Sequence, residues 1–306
     1  IMGKELRDTI KEITYKHLKK NRSQVFGQNL TGVGWVAGTL PKLFEKDGVI
    51  ELPMADVAGG GIVTGSALMR KKPIYIIRYQ GYNWFNCIFI VNYACKSYEI
   101  WKIPCPMIIR GIASEGSIGP VSGSAHLSVI YKMPGLKIFS PMTSKEYLNV
   151  YKKFTKSKDV YYISEHRKSY SNTKEFKNEI KGKKDLILMP ISVTRFEAEK
   201  AKQKLEKKGF KVGIIHLVNL KPFTLEKKWI EAIKKSKAGV LMTDNDYNDG
   251  ILRTLAHQVI EKTNKNVSVL GLEDKTAGHH KKVDNLPPDE LKILNKAISI
   301  IKKKIR

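Results

Sequence analysis

The chain has 306 residues, 42% of them hydrophobic, enough for one large or two ordinary domains with real cores, so disorder is excluded as the default state. Lys and Arg number 55 against 29 Asp and Glu, a formal charge of +26 that would suit a nucleic-acid or acidic-membrane partner. Most of the excess, however, is Lys scattered along helical faces, as in KQKLEKKGFK, with no Arg/aromatic cluster and no nucleic-acid motif, so a solvated Lys-rich surface is favoured over a nucleic-acid site.

Leu6, Ile10, Ile13 and Leu18 recur at helical spacing and predict an amphipathic helix over the first twenty residues, ending near Asn21, with His17 as a surface or packing residue. This segment has no apolar core of signal-peptide type, and no run approaches the ~18 apolar residues of a membrane helix. A soluble, cytoplasmic protein is the expectation. FGQNLTGVGWVAGTLPKLF then mixes glycines with a helical pattern, and VIELP predicts a short buried strand leading into Asp56. IYIIRY (strand), NWFNCIFIVNYACKSY (helix), CPMIIRG (strand), a Gly/Ser loop, a helix from His126 to Tyr131 and LKIFSP (strand) come next. Strands alternating with helices predict a parallel sheet covered on both faces.

Residues 168–184 are polar, charged and weakly periodic, the composition of a linker. Beyond them, DLILMPISV, a helix around Phe196 to Lys208, KVGIIHLV, a helix after Thr224, GVLMTD, a helix from Gly250 to Lys262 and NVSVLGL repeat the alternation, closed by the amphipathic PDELKILNKAISIIKK. The fold class predicted is α/β, in two three-layer α/β/α domains at 1–170 and 185–306, with 171–184 as the linker.

Asp56 follows a strand end, where ligands sit in open α/β sheets, but an Asp there also commonly caps the next helix for about 1 kcal/mol. Gly59, Gly60, Gly61 and Gly65 suit close helix packing, within the chain or across a subunit interface, better than phosphate cradling, and no nucleotide fingerprint is present. Tyr79, Tyr82, Trp84 and Phe85 form an aromatic cluster able to stack on a planar heterocycle or to fill a core. Ser122, Ser124 and His126 lie in one loop, yet GxSxG is absent and no acid partner can be placed, which disfavours a Ser/His hydrolase. His279 and His280 are adjacent, a poor geometry for sharing a metal, and Asp244 to Asp249 lack the bidentate Glu of a calcium loop. Cys87, Cys95 and Cys105 show no CxxC spacing and read as reduced, buried thiols.

Together these segments resemble the β subunit of the first component of 2-oxo-acid dehydrogenases (pyruvate and branched-chain types) and, more distantly, the C-terminal half of transketolase and deoxyxylulose-phosphate synthase. Pro53 to Gly65 follows the family's P-x-x-E-x(4)-G-x(3)-G pattern without a gap, FIVNYACK matches its QIVNEAAK-like helix, PGLKIFSP its PGLKVVxP strand, and HLVNLKPF its D-L-R-T-L-K-P segment. The resemblance implies a pyrimidine-binding transketolase-like domain followed by a transketolase C-terminal-like domain, with thiamine diphosphate at an interface. It implies an α-type partner in an α₂β₂ assembly that contains a β₂ pair. That partner holds the diphosphate through Mg²⁺ with a GDG motif absent from this sequence, so this chain contributes no metal ligand.

The resemblance sets Asp56 at the place of the Glu that hydrogen-bonds the aminopyrimidine ring nitrogen, one methylene shorter, where a displacement of about 1 Å can lower the rate ~10²-fold. Tyr79 and Tyr82 take the places of aromatics that pack on the pyrimidine. The family's substrate-handling His loop reads here as GPVSGSAH, in which Ser122 takes the His position and His126 lies one helical turn on. With these two departures, the resemblance implies a divergent enzyme that cleaves or forms a carbon–carbon bond next to a carbonyl, acting on a 2-oxo acid or a ketose. The alternatives are a split transketolase C-terminal subunit and a non-catalytic scaffold that kept the fold.

Overall fold

The computed structural model describes residues 3–21, 23–115, 119, 123, 125–280 and 282–305. The chain divides into two compact units, one comprising Ile1–Ser114, Ser124–Glu175 and Leu220–Pro222, the other Glu115–Gly123, Phe176–Asn219 and Phe223–Arg306.

The first unit opens with α1 (Leu6–Asn21), β1 (Val25–Gly27), a five-residue turn α2 (Gly34–Gly38), β2 (Val49–Glu51), α3 (Asp56–Leu68) and β3 (Ile74–Ile77). It continues through α4 (Asn83–Asn86), a π-helical segment Ile90–Ala94, α5 (Cys95–Trp101), β4 (Met107–Ala113), α6 (Leu127–Tyr131), β5 (Leu136–Phe139), α7 (Ser144–Thr155) and β6 (Val160–His166). The second unit holds β7 (Leu186–Pro190), α8 (Thr194–Lys207), β8 (Val212–Ile214), α9 (Lys227–Lys235), β10 (Val240–Tyr247), α10 (Ile251–Thr263), β11 (Val267–Leu272) and α11 (Glu290–Ile305). The strand β9 (Asn219–Lys221) joins the edge of the first unit's sheet, whose order is β2-β1-β3-β4-β6-β5-β9.

In that sheet β1 pairs in parallel with β2 on one side (Val25↔Val49) and with β3 on the other (Val25↔Ile74). β3, β4 and β6 are buried at every position, which is why their sequences are largely continuous apolar runs rather than alternating ones. The charged exceptions pair with each other. Arg110 of β4 donates from Nε and Nη2 to the two carboxylate oxygens of Glu165 in β6, at 2.7 and 2.9 Å, and from Nη2 to Thr39 Oγ1. The hydroxyls of Tyr147 and Tyr170 donate to the same carboxylate at 2.8 and 2.7 Å. Burial, then the Glu165 charge, pushes both phenols well above their ordinary pKa. His17 is a packing residue, 1% exposed, between the Tyr151 hydroxyl and the Lys72 carbonyl.

Two helical expectations are corrected. Within FGQNLTGVGWVAGTLPKLF, where the sequence mixes glycines with a helical pattern, the chain makes a left-handed turn with φ of 51° to 53° at Trp35, Val36 and Ala37, bracketed by Gly34 and Gly38, which adopt positive φ freely. The single helix expected over NWFNCIFIVNYACKSY is α4, the π segment and α5 in succession. A π insertion adds a residue to a turn without leaving a distinctive sequence pattern.

The second sheet has the order β11-β10-β7-β8, all pairs parallel. Ala198, Ala201 and Leu205 of α8 and Ile293, Ala297 and Ile301 of α11 recur every three or four residues and pack with Leu186 and Leu188 of β7 in one core. Cys87 and Cys105 are buried and Cys95 is half-buried, all as free thiols, and burial pushes Cys95 up to about 12 and Cys105 up to about 11. Among the described residues, no helix is long and apolar enough to cross a membrane.

Candidate active site

The chain leaves β1 for β2 on one side and later enters β3 on the other, so the strand order reverses between β1 and β3. Connections diverge at such a point and leave a crevice at the carboxyl ends of the strands. A cavity of about 220 Å³ opens there, lined by Gln28 after β1, Asp56 after β2, and Arg78, Tyr79, Tyr82 and Asn86 after β3.

Asp56 is the first residue of α3, and the position before it, Ala55, makes no side-chain cap. The Asp56 side chain turns instead to Gln28, whose Nε2 donates to Oδ1 at 2.5 Å. Oδ2 has no hydrogen-bond partner among the described residues. Gln28 is itself fixed by its loop: the amides of Leu30 and Thr31 and the Thr31 hydroxyl all donate to the Glu51 carboxylate at 2.7 to 2.8 Å. Partial burial raises the Glu51 pKa, but these donors outweigh it and hold the group below the usual carboxylate range.

Two glycines bring α3 close enough to place Asp56. A Cβ on Gly59 would lie 2.7 Å from the Tyr75 hydroxyl, and one on Gly60 2.3 Å from the Asn86 carbonyl, so only glycine lets the helix rest on β3 and α4. The Tyr75 hydroxyl donates to Asn86 Oδ1, and Asn86 Nδ2 donates to the Tyr82 carbonyl at 3.0 Å. Burial pushes the Tyr75 phenol up, with smaller contributions from Cys87 and Asp56. Gly61 meets the Phe89 ring at ordinary contact distance and Gly65 faces open space; both line an apolar groove with Leu68, Phe89 and Trp101.

The turn that carries Tyr79 and Tyr82 is pinned from below by Gln80, 1% exposed. Its Nε2 donates to the Gly111 carbonyl of β4 and to Ser164 Oγ of β6, and its Oε1 accepts from the His126 amide at 3.1 Å. The Tyr79 and Tyr82 rings are 6.2 Å apart at 46°. Of the residues singled out in the sequence, Asp56, Tyr79 and Tyr82 therefore meet at one cavity. His126, half-buried at the start of α6, is tied by its backbone to Gln80 and Asn83 but does not line that cavity. Ser122 and Ser124 lie outside the described residues. Trp84 and Phe85 are 63% and 52% exposed and also do not line it.

Gln28, Arg78 and Asn86 were not found by motif. The one signal available for Gln28 was a polar Gln-Asn pair directly after the buried VFG strand.

In the second unit, Asp244 is 2% exposed; Oδ1 accepts from the Asn245 amide at 2.8 Å and Oδ2 has no partner among the described residues. Burial, reinforced by Asp246 and Glu115, pushes its pKa well up and so favours the neutral form. Among the described residues no group of three or more His, Cys, Asp or Glu side chains has the geometry to hold a metal ion.

Residues 4–173 match the model of the transketolase pyrimidine-binding domain, and residues 177–286 that of the transketolase C-terminal domain. The chain belongs to the transketolase family. Among curated relatives of this transketolase-family chain, the 2-oxoisovalerate dehydrogenase subunit beta of Bacillus subtilis is 24% identical over 268 residues, 79% of this chain and 80% of the relative. The pyruvate dehydrogenase E1 component subunit beta of Staphylococcus epidermidis is 24% identical over 267 residues, 81% of this chain and 80% of the relative. The fold is shared with a split-gene transketolase solved as an inactive β4 tetramer (TM-score 0.72, 15% identity, 99% of this chain and 98% of that one). It is shared also with the transketolase of Campylobacter jejuni (TM-score 0.75, 15% identity, 97% of this chain and 47% of that one).

Proposed function

We propose that this chain is the β-type subunit of a thiamine-diphosphate-dependent enzyme that cleaves or forms a carbon–carbon bond next to a carbonyl. The observation that carries the reading is the half-held carboxylate at the β1/β3 crevice: Gln28 fixes Asp56 Oδ1 and leaves Oδ2 open beside two tyrosines. An aminopyrimidine is flat, apolar on its faces and rich in ring nitrogens at its edge. A cavity with aromatic walls, one open carboxylate oxygen and the Asn86 amide fits such a group. Bound there, thiamine diphosphate would supply the electron sink that the carbon–carbon bond chemistry requires.

The chain's own residues would do the rest. Asp56 Oδ2 would hold a proton against a ring nitrogen, with its carboxylate oriented by Gln28. Tyr79 and Tyr82 would pack around the ring and exclude water, and Ser122 and His126 would face the substrate. Mg²⁺ would be held mainly by an α-type partner, and the working assembly would be α₂β₂ with a β₂ pair inside it, in the cytoplasm. The boundary between the two domains along the chain would fall in the 171–184 linker. The reaction is 2-oxo acid decarboxylation with acyl transfer, or ketol transfer between sugars as a split transketolase subunit would perform it.

Calorimetry with thiamine diphosphate and Mg²⁺ tests this, on the chain alone and after co-expression with an α-type partner. Binding in the pair and not in the chain alone is the expected result. A stable pair that binds no cofactor would turn the reading to a scaffold that kept the fold and lost the chemistry.

A further inference from the structure

Two cations converge on the ring of Tyr79. Arg78 leaves the end of β3 and Arg167 the end of β6, two strands away across β4, a separation of roughly 10 Å at the sheet. Both side chains reach the same ring: the guanidinium carbons lie 5.2 Å (Arg78) and 5.4 Å (Arg167) from the Tyr79 ring centre. Arg78 Nη2 donates to the Tyr79 hydroxyl at 3.2 Å, while its Nε is buried with no partner among the described residues.

Neither guanidinium has a carboxylate within ion-pair distance among the described residues. Arg110, one strand away, is the opposite case, because there both oxygens of Glu165 are engaged. Cation–π contact with one ring offsets part of the cost of the two like charges, but apart from the Arg78 bond to the Tyr79 hydroxyl it leaves their N–H donors without a carboxylate partner among the described residues. Gln80, bonded to β4 and β6, holds the turn that carries Tyr79 against those two strands. Arg78 itself lines the cavity that contains Asp56.

We infer that Arg78 and Arg167 form an oxyanion subsite beside the Asp56 cavity, which receives the carboxylate or phosphate of the substrate. Guanidinium groups match such anions with paired N–H donors, and an anion held by both would engage their terminal N–H groups and offset the two positive charges. Calling the anion a substrate rests on the function proposed above; the subsite itself does not. A 2-oxo acid would bring the anion as its own carboxylate, a sugar phosphate as its far end.

The experiment is calorimetric titration of the full chain with pyruvate, ribose 5-phosphate and inorganic phosphate in turn, repeated on Arg78→Met, Arg167→Met and Arg78→Lys, with melting curves to confirm folding. Wild type should bind at least one probe, and each Met variant should weaken it about tenfold or more, as expected for loss of a charged hydrogen-bond donor. Arg78→Lys should recover part of the loss, since it restores charge without the fork. Tighter binding of pyruvate assigns the carboxylate as the source, tighter binding of ribose 5-phosphate the phosphate. Absence of binding to wild type, or affinities unchanged in both Met variants, would overturn the subsite. Thiamine diphosphate binding in the assembled pair is read separately: if it fails while phosphate binding still depends on Arg78, the cofactor reading falls and the subsite stands.

Discussion

At the β1/β3 reversal of the first unit the carboxylate of Asp56 stands half-exposed, one oxygen held by Gln28 and the other open. At the corresponding reversal of the second unit, between β7 and β10, the carboxyl of Asp244 is sealed. There Thr194 Oγ1 meets Thr243 Oγ1 at 2.9 Å, the Ile191 amide donates to the Thr243 carbonyl, and Ser192, at φ +52°, buries a hydroxyl without a partner among the described residues. Both places are of the kind where α/β sheets bind ligands. Position at the strand ends supplies a crevice; solvent access and a donor that holds the negative charge make it usable. Asp244 has a donor in the Asn245 amide but no solvent access, and burial pushes its pKa well up.

The largest effect expected from this contrast is at the open site. Asp56→Ala should lower turnover of the assembled enzyme by ~10²-fold or more while leaving the melting temperature within a few degrees, because the residue makes one side-chain hydrogen bond and no cap. Undiminished turnover in steady-state assays would remove Asp56 from the chemistry.

The sealed site should respond in stability instead. The folded-state pKa of Asp244 is raised above its ordinary 3.8, so its stabilising contribution is full below that value and is lost as pH rises toward the folded pKa. Asp244→Asn removes the ionisation. Its advantage over wild type should therefore grow with pH above about 4, by at most about 1.4 kcal/mol per unit. Parallel urea-unfolding profiles for the two proteins between pH 4 and 7 would show that Asp244 ionises freely in the fold.

Gln28→Leu sharpens the comparison from the other side, since it leaves the carboxylate in place and removes its holder. A loss of turnover of about tenfold is expected, smaller than for Asp56→Ala, because a misdirected carboxylate still samples the productive orientation. Equal losses in the two variants would mean that Gln28 acts on the cofactor directly.

The smallest effect belongs to a sealed group in the first unit, His17. Burial lowers its pKa below 6.5, so the unfolded chain takes up a proton that the folded one refuses, and stability falls as pH drops through 6.5 toward the folded pKa. His17→Gln should flatten the stability profile below pH 6.5, with turnover at pH 7.5 unaltered. A profile as steep as wild type would assign the acid sensitivity elsewhere.

Asp56, Tyr79 and Tyr82 were legible because each sits in a run whose spacing is set by backbone demands: a strand end, two close-approach glycines and a turn. The alternation of strands and helices was legible for the same reason, since buried parallel strands must be largely apolar. Gln28 was not, because β1 has only three residues, too few to show a period. Arg78, inside the predicted IYIIRY strand, and Arg167 were not singled out by any local pattern, and only the pairing of β4 with both β3 and β6 brings them to one ring. The left-handed turn at Gly34–Gly38 and the π segment at Ile90–Ala94 depend on tertiary contacts that no local pattern encodes.

The Glu165 cluster has a consequence for the history of the chain. Arg110, Tyr147 and Tyr170 all donate to this one buried carboxylate, and loss of the charge on either side strands the other in the interior at about 3–5 kcal/mol. Marginal stability makes that a near-lethal single step. Descendants of this sequence should thus keep the quartet intact or have exchanged it wholesale for an apolar set, passing through an intermediate that some earlier stabilising change had made survivable.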